Sequence, residues 1–322
     1  MTNVVGVDVG GTKVAATLLG AGGMGEHHQQ PTALSSAEAL IDQLVAIVGE
    51  AAGGGGCRAV GIGVPSIVRF QTGEIAASTN IPLAGVPLRH VLGERLGVPV
   101  YVDNDATVAA LAEAYDERME LVARNLVMIT VGTGIGGGVV IDGHIFRGGS
   151  GGAGELGMTL IGLACKPEMQ APSANFPQPG SLESLASGTA LDHLAQAAAR
   201  ERPDSALGRL AAGGRQVLGA DAVAAARTGD EPAAAAVRRW AHALGVGIAN
   251  AINTFDPDEV VIGGGGAAAG ELLLKTAAGF ADGYVHPGLR GRASVRLARW
   301  GATAGVLGAA LLAQHELEHE TT

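Results

Sequence analysis

Aromatic side chains are scarce in this sequence: Phe, Trp and Tyr together make 3% of its 322 residues. Since 47% of the residues are hydrophobic, a sizeable core is still attainable, but it must be packed from Ala, Val, Leu and Ile. Cysteine is limited to Cys57 and Cys165. That excludes a disulfide framework and any metal site needing three or four thiolates. An excess of positive charge is also missing. The formal net charge is −10, which argues against a nucleic-acid-binding surface. An anionic ligand would then need local positive potential from backbone amides, Lys13 or a metal. The apolar runs are all cut by Gly, Asp or Asn, so no segment reads as a membrane span. No basic leader precedes the first apolar run, and a reduced, cytoplasmic setting is expected. The length suits two domains of ordinary size.

Glycine is abundant, at 52 residues, and much of it follows short apolar runs. Residues 4–7 lead into Asp8-Val-Gly-Gly-Thr-Lys13, and residues 125–131 lead into Thr130-Val-Gly-Thr-Gly-Ile-Gly-Gly-Gly138. Runs this short, rich in β-branched residues and ended by glycine, read as buried strands closing in tight turns. Glycine lets a ligand approach the turn amides closely. Successive N–H groups make an anion-binding nest, to which Thr12, Thr130 and Thr133 add hydroxyls. Two such turns suggest a clamp on a polyphosphate. A strand is expected after each, over 14–19 and 138–141, whereas a P-loop needs a helix there.

Other expected strands cover 58–65, 98–102, 258–262 (ending in Gly263-Gly-Gly-Gly266) and 295–297. Expected helices cover 35–52, with Leu40, Leu44, Ile47 and Val48 on one face, then 86–96, 106–118 and 233–253, with further helices from 271 and from 303. Residues 163–181, with four prolines, read as an irregular insertion. Strand–turn–strand units followed by helices thus occur twice. This argues for an α/β chain of two lobes with a cleft between them.

Asp8 ends the first strand just before its glycine turn. A carboxylate there either caps the turn or holds a hydrated Mg²⁺ beside phosphates. Asp105 stands where a strand gives way to a helix. It either N-caps that helix or acts as a general base, accepting a hydroxyl proton as a phosphoryl group arrives. Asn104 could hydrogen-bond a polyol. Glu155 and Glu183 either accept from further hydroxyls or are solvated surface groups.

Two motif matches are set aside. Gly132-Thr-Gly-Ile-Gly-Gly137 fits the dinucleotide pattern, but a strand rather than a helix is expected to follow it. His315-Glu-Leu-Glu-His319 fits a zinc-protease pattern. It lies close to the end of the sequence without a third ligand after it, and a charged helix tail prone to fray is expected instead.

In order, these motifs resemble the ROK family of bacterial sugar kinases, within the superfamily that also includes hexokinase and actin. The resemblance covers essentially the whole chain. Asp8-Val-Gly-Gly-Thr-Lys13 looks like the family's first phosphate motif, and Thr130-Val-Gly-Thr-Gly-Ile-Gly136 like its second. Val260-Val-Ile-Gly-Gly-Gly265 is similar to its adenosine motif. Val102-Asp-Asn-Asp-Ala106 resembles the segment bearing the catalytic aspartate, which falls on Asp105. Ser181-Leu-Glu-Ser-Leu-Ala-Ser-Gly188 resembles the segment bearing a sugar-binding glutamate, which falls on Glu183.

The resemblance implies a two-lobed actin/hexokinase-like (ribonuclease-H-like) fold. The small lobe would be residues 1–105 joined by the C-terminal helix 303–322, and the large lobe residues 106–302. It implies phosphorylation of a hydroxymethyl group from ATP with Mg²⁺ by a base-assisted in-line transfer, with Asp105 as the base. Asn80, Asn104, Asp105, Glu155 and Glu183 would bind the sugar. Asp8, Gly10, Gly11, Thr12, Lys13, Thr130, Gly132, Thr133, Gly134, Gly264 and Gly265 would bind ATP, with Asp8 reaching Mg²⁺ through water. Polyphosphate is the other possible donor, and a homodimer or homotetramer is expected.

The sequence departs from the family pattern Gly-Glu-x-Gly-His, in which the His touches the sugar and ligates a structural zinc. Here the run is Gly154-Glu-Leu-Gly-Met158, and only Cys165 remains of the following cysteine cluster, so no structural zinc is expected. Methionine is a weak acceptor at best, and an unmet buried hydroxyl costs roughly 1–3 kcal/mol. Ser66 also stands where the family commonly has glycine. The substrate is then glucose or a glucose-like hexose. The alternative is a molecule altered near C1–C3, such as the aminosugar kanosamine or a C7-cyclitol of antibiotic pathways. Relatives that only sense sugars carry a helix-turn-helix ahead of the first strand. The start of this chain and the presence of Asp105 favour catalysis over sensing.

Overall fold

The structure is a computed structural model that describes residues 3–78, 80–162 and 173–320. It divides into two compact units. One comprises Met1–Met128, Gly138–Gly154 and Arg299–Thr322; the other comprises Ile129–Gly137 and Glu155–Ala298.

The first unit holds β1 (Val4–Val9), β2 (Lys13–Gly20), β3 (Gly23–Met24), β4 (His28–Pro31), α1 (Ala37–Ala52), β5 (Val60–Val64), β6 (Ile67–Arg69), β7 (Glu74–Ala77), α2 (Leu88–Leu96), β8 (Val100–Asn104) and α3 (Asp105–Glu113). Its sheet runs β3-β2-β1-β5-β8, with β4 also on β2, while β6 and β7 pair separately. β1 is antiparallel to β2 and parallel to β5, and β5 is parallel to β8. The β-branched runs supply the core: Val5, Val7, Val9, Ile62 and Val102 pack with Leu40, Leu44 and Ile47 of α1. The register sets Asp8 opposite Gly63, and Gly63 opposite Asp103. Three parallel strands therefore end level, and ligands bind beyond such carboxyl ends in α/β sheets.

Further along are β9 (Leu126–Val131), β10 (Ile135–Ile141), β11 (His144–Ile145), α4 (Leu182–Ala186), α5 (Gly188–Glu201), α6 (Ala206–Ala212), α7 (Gly219–Arg227), α8 (Glu231–Phe255), β12 (Glu259–Gly263), α9 (Glu271–Tyr284), β13 (Ser294–Leu297) and α10 (Ala304–Glu320). The second sheet runs β11-β10-β9-β12-β13. α8 starts where the sequence signals it: Asp230 accepts from the Ala233 N–H, and a proline sits in the first turn. Its Trp240, Leu244 and Ile248 join Val131, Val260 and Ile262 in one core.

α10 returns to the first unit and lies directly on its sheet. A Cβ on Gly6 or Gly61 would collide with the backbone of α10, and one on Gly308 with that of α3. The charged helix tail expected at 315–319 is part of α10. α10 stays helical to Glu320, and His315 Nε2 lies 2.7 Å from the Tyr115 hydroxyl. Burial, followed by the neighbouring His144, pushes the His315 pKa down to about 4.

Other departures are local. α3 ends at Glu113 rather than near 118, because Asp116 Oδ1 accepts from the Arg118 and Glu120 N–H groups and builds a competing turn. β10 starts at Ile135, so the second glycine turn is shorter than the sequence suggests. β3, β4, β6 and β7, at two to four residues each, are too short to show a period. Thr79 and residues 163–172, with Cys165, Pro167 and Pro172, lie outside the described residues.

Candidate active site

In the first unit the expected residues gather at the level ends of β1, β5 and β8. The Asp8 carboxylate lies against Gly305, where a Cβ would stand 2.5 Å from Asp8 Cγ. Burial pushes the Asp8 carboxyl up, and Lys13 and then His27 pull it back. The turn after β1 is closed by the Gly10 N–H donating to Lys13 O at 2.8 Å, and Thr32 Oγ1 donates to Gly10 O at 2.7 Å. Gly11 meets the Cβ of Asn80 at 3.5 Å from where its own Cβ would be, which brings Asn80 to this turn. Thr12 is exposed, and Lys13 Nζ lies 3.4 Å from Gln29 Oε1.

The two possible roles of Asp105 separate in the structure. The N-cap of α3 is Asn104, whose Oδ1 accepts from the Thr107 N–H at 3.1 Å. Asp105 is the first helical residue, with Oδ1 accepting from the Ala106 N–H at 2.7 Å. Asn104 Nδ2 also donates to Ser66 O at 3.3 Å, tying the end of β8 to the turn after β5. Sequence reasoning missed the neighbouring Asp103, which is 1% exposed and accepts from Arg147 Nε at 2.7 Å. Burial pushes its carboxyl up, and the Arg147 charge and hydrogen bond offset part of that.

In the second unit Thr130 is the penultimate residue of β9, and Gly132, Thr133 and Gly134 form the turn, with the Gly132 N–H donating to Gly134 O at 2.9 Å. This turn is stapled to the start of α5. The Gly188 N–H donates to Gly132 O at 2.7 Å, and Thr189 Oγ1 donates to Thr133 O at 2.8 Å. Glu183, in α4, accepts from the Ile135 N–H. Glu155 follows the glycine loop and is exposed, yet partial burial and then the Glu183 charge push its carboxyl up. The Met158 N–H donates to Glu155 O at 3.1 Å.

A cavity of about 620 Å³ opens beside the turn. Gly132, Thr133, Gly188 and Thr189 line one part of it, and Gly265, Gly266, Ala268 and Ala269 another. Gly264 has φ +76° and sits against the Val131 carbonyl, where no Cβ fits. The rest of the wall was not expected: Gly219, Ala220, Val223, Ala224 and Arg227 of α7, with Leu191 and Trp240 behind. The recurrence of small residues on one face of 219–227 is the signal that could have revealed it.

Among the described residues, no group of three or more His, Cys, Asp or Glu side chains is arranged to hold a metal ion. Asp8 offers a hard carboxylate oxygen at a strand end beside a glycine turn. That suits Mg²⁺, which takes one or two carboxylates and fills its shell with water and phosphate oxygens.

The ROK family model matches residues 4–316. The glucokinase of Halalkalibacterium halodurans is 36% identical over 321 residues, covering 97% of this chain and 95% of that protein. The glucokinase of Streptomyces coelicolor is 35% identical over 318 residues, covering 96% and 97%. The crystal structure of a ROK family glucokinase from Streptomyces griseus in complex with glucose and AMPPNP is 31% identical. It covers 97% of this chain and 99% of that one, with a TM-score of 0.76.

Proposed function

The chain belongs to the ROK family, and we propose that it transfers the γ-phosphoryl group of ATP to the 6-hydroxyl of glucose or a glucose-like hexose. The observation that carries this reading is the cavity ending on Gly132 and Thr133. Its apolar wall of Ala220, Val223 and Ala268 suits the ring of a nucleoside, and the turn amides suit its phosphates. A bare polyphosphate would gain nothing from such a wall, which favours ATP as donor.

Asp105 is the base in this reading. Helix capping falls to Asn104, and in this reading the Asp105 carboxylate accepts the proton of the 6-hydroxyl as the phosphoryl group arrives. Asn80, Asn104, Glu155 and Glu183 position the sugar. The Gly10 and Gly132 N–H groups close their own turns, and in this reading the other backbone N–H groups of the turns at Gly10–Lys13 and Gly132–Gly134 take the phosphate oxygens. Mg²⁺ held near Asp8 would neutralise phosphate charge.

Met158 supports a second substrate reading, because its thioether cannot replace an imidazole partner for a sugar hydroxyl. An ADP-release assay with Mg-ATP against glucose, mannose, N-acetylmannosamine, kanosamine and a C7-cyclitol separates the two. Preference for glucose supports the first reading, and activity confined to the altered sugars supports the second. No turnover with any of them sinks both.

A further inference from the structure

Asp103 is the member of the Asp103-Asn104-Asp105 run that the proposed chemistry does not use, yet it is the most buried of the three. A carboxylate at 1% exposure must be paired and hydrogen-bonded to remain charged. Arg147 meets that need. Its Nε donates to Asp103 Oδ2 at 2.7 Å, and its Nη2 donates to Glu316 Oε1 of α10 at 3.0 Å. Its guanidinium carbon lies 3.5 Å from the centre of the Phe70 ring. The other Asp103 oxygen accepts from the Asn104 N–H at 2.9 Å. One planar cation thus ties the end of β8 to α10 and to the segment after β6, a geometry that a lysine's point charge does not reproduce.

Arg147 also opens the glycine loop that leads to Glu155. Its carbonyl accepts from the Ala153 N–H at 3.2 Å. Gly151 lies so close to the Val68 carbonyl that no Cβ fits there. The loop and the strand end that carries Asp105 are therefore fixed from the same residue.

We propose that Arg147 is a positioning residue for phosphoryl transfer: through Asp103 it fixes the end of β8 that presents Asp105, and it keeps the Asp103 charge from acting on that base. The inference rests on the reading of the chain as a sugar kinase with Asp105 as base.

The test is a double-mutant cycle on the full chain, using Mg-ATP and the sugar turned over fastest by the wild type. Arg147→Gln is expected to lower kcat about tenfold or more, with the sugar KM changed less than about threefold. Adding Asp103→Asn to Arg147→Gln is expected to restore kcat at least about threefold, because losing both partners of a buried pair is milder than losing one. A purely structural role would lower melting temperature in both variants without this recovery. The inference is overturned by an Arg147→Gln kcat within twofold of wild type, or by a double variant no faster than the single. If Arg147→Gln does not fold, Asp103→Asn alone decides: it keeps the side-chain shape and is expected to cost kcat about threefold or more, and an unchanged kcat overturns the inference. A wild type that phosphorylates no sugar removes the kinase reading itself, whereas an active wild type with a flat cycle removes only the role of Arg147.

Discussion

Glu183 holds Ile135 through a carboxylate: its Oε2 accepts the Ile135 N–H at 2.7 Å, from 48 positions along the chain. The same carboxylate fills the space where a Cβ on Gly134 would stand. An acidic side chain therefore requires glycine at position 134. A residue expected to serve the sugar and a residue expected to serve ATP are in contact.

Gly134→Ala should displace Glu183 and loosen the turn together. The expected result is a fall of about tenfold in kcat/KM for both ATP and sugar, read from initial rates with each substrate varied in turn. Wild-type values for either substrate would show that the contact does not link them.

Asn104 and Asp105 should differ in kind when replaced. Asn104→Ala removes the cap of α3 and should cost about 1 kcal/mol in denaturant unfolding. Asp105→Ala should cost less stability than Asn104→Ala while losing activity. Equal destabilisation would mean that Asp105 shares the capping role.

This pair shows what the sequence could and could not reveal. The strand expected over 98–102 was legible, because short β-branched runs ended by polar residues have few other readings, although β8 runs on to Asn104. Which of two adjacent polar residues caps the helix depends on backbone angles, and composition does not report those. The glycine turns were legible by the same pattern. The α7 wall of the cavity was not, because Ala and Gly carry no chemistry of their own. Arg147 was hidden for another reason: its partners Asp103 and Glu316 are 44 and 169 positions away. The end of α3 was misplaced because Asp116 competes for the backbone, a local effect that helix periodicity overlooks.

Glycines divide into two groups with opposite outcomes. Gly61→Ala puts a Cβ into the Ala309 carbonyl of α10 and should cost more than about 3 kcal/mol or prevent soluble expression. Gly49→Ala, inside α1 with open space around it, should stabilise by roughly 0.5–1 kcal/mol. Thermal melts of the two variants check this, and a shift of the same sign in both would contradict the packing of α10 on the sheet.

His315 should make stability depend on pH. Its pKa is about 4 in the folded chain and about 6.5 when unfolded. Between those values the unfolded chain binds a proton that the folded chain does not, so stability falls as pH drops from about 6.5 towards 4. The full contribution is on the order of 3 kcal/mol. His315→Gln should lose less stability over that range than wild type, as read from melting temperature against pH. Parallel curves would show that His315 protonates as readily in the fold as outside it.

The most direct measurement is product analysis by phosphorus NMR of Mg-ATP and glucose incubated with the wild type and with Asp105→Asn. The account expects glucose 6-phosphate from the wild type and a rate lower by about 100-fold or more from the folded variant. Undiminished phosphorylation by Asp105→Asn, or phosphate placed on a hydroxyl other than the 6-hydroxyl, would contradict it.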